Sequence, residues 1–270
     1  MSERSRIGVV FDKARADGRA LLVGCMPAGF PTVEGSIAAM KTMIAAGVDV
    51  IELEIPYSDP VMDGPVIQRA SGIALAGGVR TRDALRIVEE VAATGAPVAA
   101  MTYWNPIEQY GVDAFARDLA AAGGTGMVTP DLIPDEADEW LAASDAYGLD
   151  RTFLVAPSST DERLAMTVAH CRGFVYATAL MGVTGARAQI SQAAPVLVSR
   201  VRAVTDLPVG VGLGVGTGAQ AAAVAGYADA VIVGSALIRC LLDAPDQESG
   251  LSALRAVSAE LAEGVRNPTP

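Results

Sequence analysis

The sequence predicts an α/β fold in which eight parallel strands, each followed by a helix, close into a (β/α)8 barrel. Apolar, β-branched runs alternate with segments of helical periodicity about eight times, at a repeat of roughly 25 to 30 residues. No linker or shift in composition divides the chain. Its 270 residues, 51% hydrophobic and 19% charged, match the length of one such barrel. The expectation is therefore a single TIM-barrel domain over 1–270, with a disordered C-terminal tail from about 265 to 270.

Each element has a local reason. Ser2 to Ala16 reads as a leading helix, because Ile7, Val10, Phe11 and Ala14 fall on one face. The first strand spans Ala20 to Pro27, and Thr32 can cap a helix that runs to about Ala46. Val48 to Ile55 is the second strand. An extra helix, Pro65 to Ala76, follows it before a Gly77-Gly78 break and a helix from Thr81 to about Ala93. The third strand, Ala96 to Tyr103, leads through Trp104-Asn105-Pro106 to a helix from Gly111 to Ala122. Gly126 to Pro130 and Thr152 to Ala156 are the fourth and fifth strands, with helices from Asp135 to Tyr147 and from a Thr160 cap to His170. Phe174 to Ala179 is the sixth strand, followed by a glycine-bearing loop and a helix from about Ile190 to Val204. Leu207 to Gly214 and Asp229 to Val233 complete the set, with a short helix opened by Thr217 between them and the segment Gly234 to Ile238 after them.

Composition excludes several functions. A formal charge of −11 and a pI near 4.6 offer no basic stripe for a nucleic-acid backbone. No secretory signal opens the chain, and its longest apolar region is interrupted by Gln220, Asp229 and glycines, so a cytoplasmic protein is expected. Cys25, Cys171 and Cys240 have no metal-ligand spacing. His170 is the only histidine, which leaves a Ser-His-Asp triad or a multi-histidine metal site without its parts. Lysine occurs only at Lys13 and Lys41, both in helical segments, so a Schiff-base lysine inside the barrel is not available.

Two groups of residues carry candidate chemistry. In barrels of this type a phosphate commonly sits where the loops after strands seven and eight meet a helix start, because free N–H groups and the helix dipole favour an anion there. Gly212 to Thr217 and Gly234-Ser235 are those loops. The second group is acidic. Glu52 and Glu54 alternate with Ile51, Leu53 and Ile55, so both glutamates face the barrel interior if the apolar set meets the helices. An apolar interior raises a carboxyl pKa and suits it to acid–base work, whereas Asp63, on the following loop, would stay ionised if better solvated. Asp59 reads as a turn-shaping residue.

These motifs resemble the tryptophan synthase α subunit family over nearly the whole chain. The resemblance lies in Ile51-Glu52-Leu53, in Pro56-Tyr57-Ser58-Asp59-Pro60 with Asp63-Gly64-Pro65, in Tyr103-Trp104-Asn105-Pro106, in Gly182-Val183-Thr184-Gly185 and in Gly234-Ser235. It implies retro-aldol cleavage of indole-3-glycerol phosphate to indole and glyceraldehyde 3-phosphate, with no cofactor in this chain. Glu52 would be the general acid and base, and Asp63 the partner of the indole N–H. Met101, Tyr176 and Leu213 would line the indole pocket. Gly185, Gly214, Gly234 and Ser235 would hold the phosphate, and Thr184 would lie in the loop that closes over substrate. The implied partner is the pyridoxal-phosphate β subunit in an αββα heterotetramer, met by loop 56–60 and by Asn105-Pro106. Glu54 stands where the family often has glycine, and like-charge repulsion from it would raise the Glu52 pKa. Cys25 replaces a bulkier pocket residue. A different phosphosugar barrel enzyme, or a phosphate-binding regulatory subunit with little turnover, also fits the same residues.

Overall fold

The computed structural model describes residues 5–178, 193–212 and 214–269. Eight strands, β1 (Leu21–Pro27), β2 (Val50–Glu54), β3 (Val98–Met101), β4 (Gly126–Thr129), β5 (Asp150–Val155), β6 (Val175–Thr178), β7 (Val209–Gly212) and β8 (Ala230–Val233), pair in chain order, and β8 closes onto β1. All the pairings are parallel, so the C-terminal ends of the strands share one rim.

Period-two alternation divides the side chains as the sequence predicts. Ile51, Leu53 and Ile55 join the apolar layer between sheet and helices, together with Met40, Met43 and Val88. Val23, Val50, Ala99, Val128 and Ile232 fill the interior. The helix α1 (Arg6–Ala16) plugs the lower end with Ile7, Phe11 and Ala14, and the Phe11 ring lies 5.7 Å from that of Phe174. Ser5 starts this helix by accepting the Gly8 N–H at 2.9 Å, and its hydroxyl donates to Asp150 at 2.6 Å. The expected start at Ser2 lies outside the described residues.

The outer layer follows the expected order. Thr32 caps α2 (Val33–Ala45) by accepting the Gly35 N–H at 3.0 Å. The extra helix after β2 is α3 (Pro65–Ala76), and α4 (Thr81–Ala92) follows it. Trp104-Asn105-Pro106, where no helix was expected before Gly111, opens a helix of its own, α5 (Trp104–Tyr110); a proline in the first turn removes no helical hydrogen bond. Then come α6 (Val112–Ala121) and a single 3-10 turn over Pro134–Glu136, which delays α7 to Asp138–Ala146. Helix α8 (Asp161–His170) is capped by Thr160, and α9 (Ala193–Arg202) precedes β7.

After β7 the chain forms α10 (Gly218–Ala225), then α11 (Ser235–Leu242) directly beyond β8, and α12 (Gln247–Arg266). Helix α12 is not among the elements expected from the sequence. It buries Leu254, Leu261, Ala262 and Val265, and Asp246 caps it by accepting the Ser249 N–H at 2.8 Å. Where a disordered tail was expected from about 265, the helix continues to Arg266, and the Thr269 N–H donates to the Ala222 carbonyl at 3.0 Å. Val265 is fully buried, and that burial holds the chain end against the barrel.

Candidate active site

The candidate residues gather at the upper rim. Glu52 lies in the middle of β2, in register with Cys25 of β1 and Ala99 of β3, and its side chain points inward at 2% exposure. Asp63 sits on the loop between β2 and α3. Gly64 caps α3 and Pro65 takes its first position, where a fixed φ suits a helix start. Gln68 donates to the Asp63 carbonyl at 2.7 Å, and the Tyr103 hydroxyl donates to Asp63 Oδ1 at 2.8 Å. The same hydroxyl accepts the Met62 N–H at 3.0 Å, so the tyrosine ties the loop to the end of β3.

Glu52, Glu54, Asp63, Met101 and Tyr176 line one cavity, and Gly214, Gly234 and Ser235 contribute to its edge. Cys25, Ile67, Val128, Leu154 and Ile232 supply apolar wall. Gly212 leaves room for Tyr176: a Cβ there would come 2.5 Å from the tyrosine oxygen. Gly214 has φ of 71°, which only glycine adopts without strain. Ser235 is the first residue of α11, with Gly234 as its cap, and the leading N–H groups of a helix have no intrahelical partner. Anion binding is suited to that end. Of the glycine-rich loop after β7, one donor is already used, since Gly216 N–H bonds to Gln220 at 2.8 Å. Leu213, Thr184 and Gly185 lie outside the described residues.

Burial governs the electrostatics. It pushes the Glu52 carboxyl up to about 7, against a hydrogen bond from the Cys25 thiol that favours the charged form. Glu54 is raised well above the carboxyl range, first by burial and then by the charge of Asp63. The expected repulsion between the glutamates therefore falls on Glu54 rather than Glu52. Asp63 is also raised by burial, although Tyr103 opposes the rise. At 6% exposure it is not the better-solvated group that its loop position suggested. One oxygen each of Glu52, Glu54 and Asp63 is buried with no hydrogen-bond partner among the described residues.

Tyr103 and Ser71 were not picked out as site residues from sequence. Ser71 is the polar member of the buried stripe Ile67, Ala70, Ser71, Ala74 on α3, and that misfit was the available signal. His170 ends α8 with its Nδ1 2.8 Å from the Met166 carbonyl, away from the cavity. Asp59 accepts from Ser58 at 2.5 Å on the exposed loop, in keeping with a turn. Among the described residues, no three His, Cys, Asp or Glu side chains converge in a way that could hold a metal ion.

The profile of the tryptophan synthase alpha chain family matches residues 11–266. The chain belongs to this family. It is 84% identical over 264 residues to the tryptophan synthase alpha chain of Salinispora arenicola, covering 98% of this chain and 99% of that one. Tryptophan synthase from Mycobacterium tuberculosis superposes with a TM-score of 0.93 at 61% identity, covering 98% of this chain and 99% of that one. The tryptophan synthase subunit alpha of Legionella pneumophila gives 0.86 at 35% identity, with 97% and 99% covered. The family is a lyase of tryptophan biosynthesis that cleaves indole-3-glycerol phosphate, and that is the activity of this chain. Members carry no cofactor and work with a β subunit, to which the pyridoxal phosphate belongs. No helix among the described residues is long and apolar enough to cross a membrane.

Proposed function

We propose that Glu52 and Asp63 carry the cleavage of indole-3-glycerol phosphate. What supports this is the pair of buried carboxyls, each with an oxygen that has no partner among the described residues, on one largely apolar cavity whose edge holds the start of α11. Glu52 protonates the indole ring carbon that bears the side chain, and a group held near 7 can serve as donor and then as acceptor at neutral pH. Ring protonation converts the indole to an iminium. Glu52 then takes the proton of the neighbouring side-chain hydroxyl. The carbon–carbon bond breaks, its electron pair moves into the iminium, and indole and an aldehyde result. Asp63 accepts the indole N–H and stabilises the cation, and Tyr103 holds Asp63 in place.

Met101, Tyr176 and Leu213 enclose the indole ring. Gly185, Gly214, Gly234 and Ser235 take the phosphate, and Thr184 belongs to the loop that closes over it. The β subunit docks on loop 56–60 and the start of α5, a surface joined by an Asn105 to Tyr57 hydrogen bond at 3.3 Å, in an αββα assembly in the cytoplasm. The test is indole release from indole-3-glycerol phosphate, with and without β subunit. Glu52→Gln and Asp63→Asn should each abolish turnover while remaining folded, and unchanged activity in both would remove the assignment.

A further inference from the structure

The cavity holds a third carboxyl that this chemistry leaves unused. Glu54 is 3% exposed and shares the inward face of β2 with Glu52, about 6–7 Å nearer the barrel mouth. Its Oε1 accepts from the Ser71 hydroxyl at 2.8 Å, whereas Oε2 is buried with no partner among the described residues. Asp63 repeats the pattern, with Tyr103 on one oxygen and no such partner on the other. The groups that act on Glu54 are Asp63 from the loop, Glu52 from its own strand and the neutral Ser71 from α3. Glu54 acts in turn on Cys25 of β1 and Tyr103 after β3. None of these is a cation.

Three ionised carboxylates in one such cavity would repel one another and lose hydration, so a proton has to remain. Glu54 shares the inward face of β2 with Glu52 and the cavity with Asp63, so it meets both charges and is the group that keeps the proton. We propose that Glu54 forms a proton-sharing pair with Asp63, in which Glu54 is the neutral carboxylic acid that donates toward Asp63 and leaves Asp63 as the ionised acceptor. This rests on the assignment of Asp63 to the indole N–H. Glu54 is a positioning residue: it acts through Asp63 and does not touch the reacting atoms. Burial and the charge of Asp63 both raise its pKa, in agreement with the neutral form.

Two measurements on the full chain test the pair. In a Glu52→Gln background, which removes any signal from Glu52, Glu54→Gln should erase an infrared carbonyl band of a protonated carboxyl at neutral pH. With Glu52 intact, indole affinity is then followed against pH. Glu54→Gln keeps a donor, so its affinity should stay within about threefold of the parent with the same acidic midpoint. Glu54→Leu lacks the donor, so affinity should fall about tenfold and the midpoint should move to higher pH. Failure to lose the band overturns the proposal. So does a midpoint moved to lower pH in Glu54→Gln, because Glu54 would then have been a charge. Wild-type indole binding by Glu54→Leu overturns it as well. Asp63→Asn separates the two ideas: if it binds indole like the parent, the N–H assignment fails, while the infrared band still locates the proton on Glu54 or excludes it.

Discussion

Replacing Glu52 by glutamine should stabilise the protein while abolishing its chemistry, and the stabilisation should depend on pH. Burial holds the folded-state carboxyl at about 7 against an ordinary 4.5. At about 1.4 kcal/mol per pH unit, ionised Glu52 therefore costs the folded state about 3 kcal/mol. The sign follows from proton counts. Between about 4.5 and 7 the unfolded chain has lost the proton and the folded chain keeps it, so wild-type stability falls as pH rises through this window. Below the window both states are protonated, and the glutamine variant should match the parent. Above about 7 the variant should be more stable by up to about 3 kcal/mol. Urea unfolding at a series of pH values from acid to mildly alkaline reads this directly, with indole release measured on the same samples. A stability difference that stays flat across the series would refute the reasoning, because Glu52 would then not be a desolvated acid.

Three further outcomes follow from the same geometry. Tyr103→Phe removes the donor to Asp63, so the Asp63 pKa should rise further, and indole affinity at neutral pH should drop about tenfold, read by titration with indole. Gly212→Ala places a methyl against the Tyr176 oxygen and should tilt that ring into the pocket; an increase of about tenfold in KM is expected from steady-state kinetics, and an unchanged KM would show that the ring yields without cost. Ser5→Ala removes both the cap of α1 and the hydroxyl partner of Asp150 at the opposite end of the barrel. Thermal unfolding should show a loss of about 1–2 kcal/mol with turnover unaffected.

Much of the fold could be read locally because its determinants are local. Thr32, Thr160 and Thr217 cap the helices they were assigned to, since an N-cap needs only its own hydroxyl and an N–H three residues on. Strand alternation put Glu52 and Glu54 on one face, since the pleat has a period of two, and packing of the helices on the other face turned that one inward. The misses have particular causes. Helix α5 was not expected between the third strand and Gly111, and proline in a first helical turn is tolerated. Helix α12 has its cap at Asp246 and its apolar spacing in the sequence, so it too was locally encoded.

By itself, then, the sequence determined the eightfold alternation, the shared face of Glu52 and Glu54 on β2, the absence of a lysine or histidine for other chemistries, and the family. Only the tertiary structure decided what surrounds each acid. Tyr103 reaches Asp63 across 40 residues of chain, and Ser71 reaches Glu54 across 17. Closing the barrel brings these partners together and buries all three carboxyls in one cavity. The physical reason is that a pKa depends on solvent access and neighbouring charge, which strand pairing and helix packing create and no local pattern encodes.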